Sequence, residues 1–201
     1  DTGTMLRTVG ARGTMPGDFD RPNGVAVHGD LVFVAERDNH RVQVFSLPEF
    51  TPLAAFGADK LRSPYGLWVN ETAPETFDVY VTDSFMDGAD HKRVPDFTRL
   101  DQRVRRYRFE SHDGGSLRIT ALGSFGAKDA QTALRIVESI AGDAAHDQLL
   151  IADEDMRHNA TVHAYTLEGA YSGRALPAGT FDAEPEGIAL WSCSVDGGYW
   201  I

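Results

Sequence analysis

The residues best able to do chemistry in this 201-residue chain are carboxylates, and their placement is uneven. Glu138 opens the segment Glu138-Ser139-Ile140-Ala141-Gly142, and Glu186 opens the similar Glu186-Gly187-Ile188-Ala189-Leu190. Glu154 stands in Asp153-Glu154-Asp155, directly after the apolar run Leu149-Leu150-Ile151-Ala152. Asp favours turns, so an acid at the end of an apolar run is ordinary. Glu is not a turn former, and two Glu at matching positions call for another reason. Converging carboxylates repel one another, and a hard cation relieves that repulsion. Ca²⁺ suits the role, because it accepts about six to eight oxygens in flexible geometry. Such an ion would also invert the local field and draw phosphate to an acidic face. The expected metal ligands are Glu138, Asp153, Glu154, Asp155 and Glu186, with Glu138, Glu154 and Glu186 as the catalytic group.

The elements that must position these residues repeat. Asn23-Gly24-Val25-Ala26-Val27, Tyr65-Gly66-Leu67-Trp68-Val69 and the two Glu-led segments share one pattern, with anchors at 24, 66, 139 and 187. The first and last gaps fit a propeller blade of roughly 40–50 residues, and the middle gap fits if about 30 residues are inserted. After the anchors come second apolar runs (Leu31–Ala35, Val79–Thr82, Leu149–Ala152). Third runs alternate with polar residues (Val42–Phe45, Val104–Tyr107, Val162–Tyr165). Fourth runs end in Gly at Gly57 and Gly123. The pattern predicts an all-β propeller of four-stranded antiparallel blades, about four of them covered, as a single domain over 1–201 that is part of a larger, six-bladed ring. Thr4–Val9 is expected to be the outer strand of a preceding blade, and 127–137 to be either three helical turns or a connection. Residues 84–102 are the insertion. Antiparallel strands bring the starts of first strands and the ends of second strands to one face, so the carboxylates above share it.

Composition narrows the function. There are 19 Lys+Arg against 30 Asp+Glu, a net charge of −11, which argues against nucleic acid as the main partner. No apolar run approaches the ~18 residues of a membrane span. Cys193 is the one cysteine, so no disulfide scaffold exists; it is expected in a turn and without a role. The chain opens on Asp1, as a mature form or a fragment would. No Gly-x-Ser-x-Gly elbow and no His-x-x-x-His or Cys-x-x-Cys pair occurs. Arg103, Arg105, Arg106 and Arg108 are expected on a solvated outer strand, and His163 as a rim or packing residue.

Two resemblances follow. Gly17–Val27 with Val34–Phe45 resembles an NHL repeat, a pattern specific for the fold and nearly silent on function. A longer correspondence links Arg21-Pro22-Asn23, Glu36-Arg37, Tyr65-Gly66, Val137-Glu138, Ile151–Asp155 and Glu184–Trp191 with Gly198-Tyr199-Trp200. In that order they are similar to the β-propeller phytases, six-bladed calcium-dependent phosphatases. The resemblance implies calcium ions held by Glu138, Glu154 and Glu186, with Arg37 and Tyr65 at the phosphate and calcium cluster. It implies direct attack of a metal-activated water on phosphate, and an extracellular or periplasmic location. The chain departs from the family at Ser139, where Gly is usual, at Ala26, where Asp is expected, and at Ser84, near which a phosphate-binding Lys is expected. Lys92 or Arg93 of the insertion would replace that Lys in binding substrate.

The function expected is hydrolysis of phytate or a similar polyphosphorylated small molecule, with Ca²⁺ as cofactor. The competing expectation is a non-catalytic NHL-type propeller that binds a protein or carbohydrate through the same face, with the insertion as contact surface. A lactonase or amidating lyase would need His or Asn/Asp ligands on the axis, and His40 is the one residue in a suitable loop.

Overall fold

A computed structural model describes residues 3–87, 94–95, 97–112, 116–194 and 197–201. The first blade is a four-stranded antiparallel sheet of β1 (Pro22–His28), β2 (Leu31–Glu36), β3 (Arg41–Ser46) and β4 (Thr51–Phe56), in that order. The second contains β5 (Pro64–Ala73) and β6 (Thr76–Asp83), then a short pair, β7 (Met86–Asp87) with β8 (Val94–Pro95), inside the insertion. It is completed by β9 (Val104–His112) and β10 (Ser116–Phe125). The third holds β11 (Val137–Asp143), β12 (Gln148–Asp153), β13 (Thr161–Tyr165) and β14 (Tyr171–Ala175). A two-stranded sheet of β15 (Leu190–Ser194) and β16 (Gly197–Trp200) follows. The architecture is a β-propeller of four-stranded blades.

Apolar seams join the blades. Between the first two lie Phe33, Phe56, Phe77, Tyr107 and Phe109, all buried. Phe77 stacks on Phe109 at 5.1 Å, and Phe33 meets the Phe109 ring edge-on at 5.4 Å. Such pairs contribute about 0.5–1.5 kcal/mol beyond their buried area. Between the second and third lie Tyr80, Leu134, Leu149, Ile151 and Tyr165. The Tyr80 hydroxyl crosses this seam to donate to the Leu167 carbonyl at 3.0 Å. Residues 127–136 are the connection, without a helix. Asp129 accepts the Gln131 and Thr132 N–H groups to make a turn, which delivers Leu134 into the seam.

The inner strands pack side by side, with β5 between β1 and β11 and β15 against β11. The approach is tight. A Cβ on Gly24 would collide with the Tyr65 carbonyl, and one on Gly66 with that of Glu138.

Several strand-level expectations change. Residues 3–11 form no strand and are mostly exposed, Met5 and Leu6 among them; Arg7 donates to the Pro48 carbonyl and sits over the Phe50 ring at 4.9 Å. β14 completes the third blade although Tyr171-Ser172-Gly173-Arg174-Ala175 lacks apolar alternation. β15 starts four residues after Glu186, and Cys193 falls in it rather than in a turn. The arginine run is not a solvated edge, because β10 covers β9. Arg103 and Arg105 are buried, and Arg106 and Arg108 clasp the fully buried Asp78 at 2.7 and 2.8 Å.

Gly66→Ala is expected to lose about 1–3 kcal/mol in urea unfolding, the usual range for forcing a group into a packed site.

Candidate metal centre

Each complete blade ends its second strand in a buried acid: Glu36, Asp83 and Asp153. Asp83 accepts N–H groups from Arg62 and Ser63 at 2.8 Å each, and from Phe85 at 3.1 Å. Burial pushes its carboxyl up, against those hydrogen bonds, which pull it down. Asp153 repeats the pattern with Arg135 (2.8 Å), Ile136 (3.0 Å) and Asp155 (3.1 Å). Glu36 accepts from Asp20 N–H at 3.2 Å and from the side chains of Asn39, Arg41 and Gln43 at 2.6–2.7 Å. These acids anchor the segment that enters the first strand of their own blade, so the next residue has a fixed place. Those next residues are Arg37, Ser84 and Glu154, all buried.

The matching positions are Asn23, Tyr65 and Glu138 on the inner strands, and Glu186 in the segment that leads to β15. One oxygen each of Glu138, Glu154 and Glu186 lies within 4.8 Å of the others, the one such group of acids, histidines and cysteines among the described residues. Glu138 and Glu154 are buried and Glu186 is exposed. Glu154 is 4% exposed, and its Oε1 has no hydrogen-bond partner among the described residues. Burial first, then the charges of Glu138 and Glu186, push its carboxyl up to about 9. Tyr65 hydrogen-bonds Glu138; burial, that bond and the three glutamates raise its phenol far above the ordinary value. The donor set is hard, anionic and oxygen-only, and it includes an orphaned buried oxygen. This fits a Ca²⁺-class cation.

The other expected residues are placed as follows. Asp153 is outside the glutamate group, its oxygens occupied by backbone. Asp155 is occupied too: it accepts from Arg157 Nε and His158 Nδ1 at 2.8 Å each. Against a burial penalty, those bonds hold its carboxyl below the ordinary range. The Arg37 backbone N–H donates to Arg21 O at 3.0 Å, and its guanidinium is 3.6 Å from Asp38. Lys92 and Arg93 lie outside the described residues. Ala26 packs against the first apolar seam.

Three hydroxyls hold the site's backbone; sequence reasoning passed over Thr82, and met Ser84 and Ser139 as departures from the resembled family without seeing them as backbone donors. Thr82 donates to the Glu138 carbonyl at 2.7 Å and accepts the Gly66 N–H at 2.7 Å. Ser84 donates to the Val137 carbonyl at 2.5 Å. Ser139 donates to the Glu186 carbonyl. The signal was the position of Thr82 and Ser84 on either side of the strand-end Asp83, and of Ser139 where Gly24 and Gly66 stand in the matching segments.

Comparison with known proteins bears on the fold. Residues 19–45 match the NHL repeat. No curated protein sequence matches the chain. Among solved structures, a chain of a nidogen/laminin complex aligns with TM-score 0.54 and 18% identity, over 87% of this chain and 54% of that one. This chain thus spans about half the length of that structure. A Bacteroides ovatus xyloglucan-locus protein, GH43B, aligns with TM-score 0.47 and 11% identity, over 92% and 36% of the two chains.

Two predictions follow from the geometry. Asp153→Asn sets an amide against backbone donors, and should lower stability by about 1–3 kcal/mol in urea unfolding and weaken calcium affinity in calorimetry, because Glu154 loses the anchor that fixes its place. The second concerns pH. Glu154 holds its proton in the folded chain to about 9, whereas the unfolded chain releases it near 4.5. In chelator, the folded state then binds more protons than the unfolded one across that window, so thermal stability should fall as pH rises through it. Glu154→Gln should flatten that slope.

Proposed function

We propose that this chain carries the metal centre of a calcium-dependent phosphomonoester hydrolase acting on phytate or a similar polyphosphorylated small molecule. The observation that carries the reading is the convergence of Glu138, Glu154 and Glu186 around an unpartnered, buried Glu154 oxygen. These three residues would hold the ion. When bound, Ca²⁺ would neutralise phosphate oxygens and lower the pKa of a water. The remaining work belongs to the chain. Tyr65 fixes the Glu138 carboxylate through its phenol. Arg37, at the blade position equivalent to Glu154, offers a guanidinium for charge-assisted bonds to substrate phosphate. Lys92 and Arg93 would add cations from the insertion. An extracellular or periplasmic setting, where free calcium is abundant, fits this reading.

The NHL match at residues 19–45 favours a second reading, a propeller that binds a protein or carbohydrate without catalysis. Phosphate release from phytate, measured with calcium and with excess chelator, separates the two. The phosphatase reading expects calcium-dependent release, and loss of both calcium binding and release in Glu186→Gln. A chain that binds no calcium and releases no phosphate supports the binding propeller.

A further inference from the structure

We propose that Arg106 and Arg108 form a binding site for a small tetrahedral oxyanion, of the phosphate or sulfate type, where the outer strands of the second blade meet the third. The site uses none of the three glutamates and does not rest on the metal-binding reading. Both arginines lie on β9, two residues apart and so on one face of the strand. Both guanidiniums turn to the same carboxylate, the fully buried Asp78 of β6. Arg106 meets it through Nε at 2.9 Å and Nη2 at 2.7 Å, and Arg108 through Nε at 2.8 Å and Nη2 at 3.0 Å. One buried anion thus fixes two cations side by side, and one positive charge remains. Glu168, in the turn between β13 and β14, answers it: its Oε2 is 2.8 Å from Arg106 Nη1. The Nη1 donors of Arg108 take no part in the clasp of Asp78.

The sheet leaves room for an anion here. β10 covers β9, yet opposite Arg106 it places Gly123, just after a register shift that follows Ala121. A Cβ on Gly123 would meet nothing within 4 Å. The result is a hollow of about 410 Å³, bordered by Arg106, Arg108, Gly123, Ser124, Phe125 and Glu168. The turn that carries Glu168 is held firmly. Gly169 packs so close to the Phe125 ring that no Cβ would fit, and the Tyr80 hydroxyl donates to the Leu167 carbonyl at 3.0 Å. The Glu168 side chain, by contrast, is 79% exposed. An exposed ion pair contributes little, because water screens it and ordering it costs side-chain entropy. Glu168 is therefore a tethered anion that a free one can displace. A tetrahedral dianion would accept from Arg106 and Arg108 together, through the paired N–H groups that a guanidinium presents to an oxyanion.

The test is titration of the isotope-labelled chain, freed of calcium on a chelating resin, with inorganic sulfate, inorganic phosphate and glycerol phosphate. Binding is read by NMR at the backbone amides of Gly123, Ser124 and Glu168, where saturable shifts are expected. Glu168→Gln removes the competing charge at an exposed position, so the fold should tolerate it, and it should tighten sulfate binding about fivefold. Arg108→Gln, which leaves Arg106 on Asp78, should weaken binding about tenfold. Glycerol phosphate binding as tightly as inorganic phosphate would assign the site to phosphate esters, and weaker binding to the free anion; both outcomes support the site. Equal affinity in wild type and Glu168→Gln, or shifts confined to the segments around Glu138 and Glu154, would overturn it. Because Glu168→Gln reads a gain of affinity, the proposal stays testable even if Arg108→Gln fails to fold.

Discussion

The upper face of this propeller depends on a carboxylate placed where water cannot reach it. At the end of each complete blade's second strand, an acid accepts donors from the segment that leads into the same blade. Hydrogen bonds to a charged acceptor contribute about 1.5–3 kcal/mol each. Removing the acid would strand two or three buried N–H groups at once. The entry segment therefore cannot drift relative to the strand beside it. The residue after the acid inherits that precision without contributing to it.

Blade-to-blade order is fixed by different means at different depths. Aromatic rings fill the seam between the first two blades, and a mixed aliphatic and aromatic cluster fills the next. At the axis there is no room for such groups, and backbone meets backbone at Gly24 and Gly66. At Ser139, in the matching position, a side-chain hydroxyl donates to the Glu186 carbonyl. The lower rim is tied by charge: Arg106 reaches from buried Asp78 to the exposed Glu168 of the third blade, at 2.7 and 2.8 Å. Packing sets the ring, and polar contacts set its two openings.

The blades were legible because inner and middle strands are apolar on both faces and recur with a visible period. The grouping of Glu138, Glu154 and Glu186 was legible because antiparallel strands force equivalent termini onto one face. The roles within Asp153-Glu154-Asp155 were not. Three adjacent acids look alike in sequence, and only the backbone donors around Asp153 and the cations on Asp155 separate anchors from the residue facing the axis. β14 escaped because an outer strand half in water needs no apolar alternation. The arginines of β9 escaped because charge in sequence suggests solvent, whereas Asp78 takes two of them inward. Residues 3–11 failed as a strand because no sheet edge receives them.

Anchor and channel residue are adjacent in sequence but independent in duty. Glu36-Arg37, Asp83-Ser84 and Asp153-Glu154 keep an acid first and then hold a cation, a hydroxyl and an acid in the same place. Each blade is thus a socket whose contents can change without touching its mount. Duplicated blades can diverge in charge one position at a time, and the axis can pass from neutral to cationic to anionic while the fold stays the same. A propeller built this way explores chemistries at low structural risk, which gives a physical reason why one repeat can serve unrelated functions.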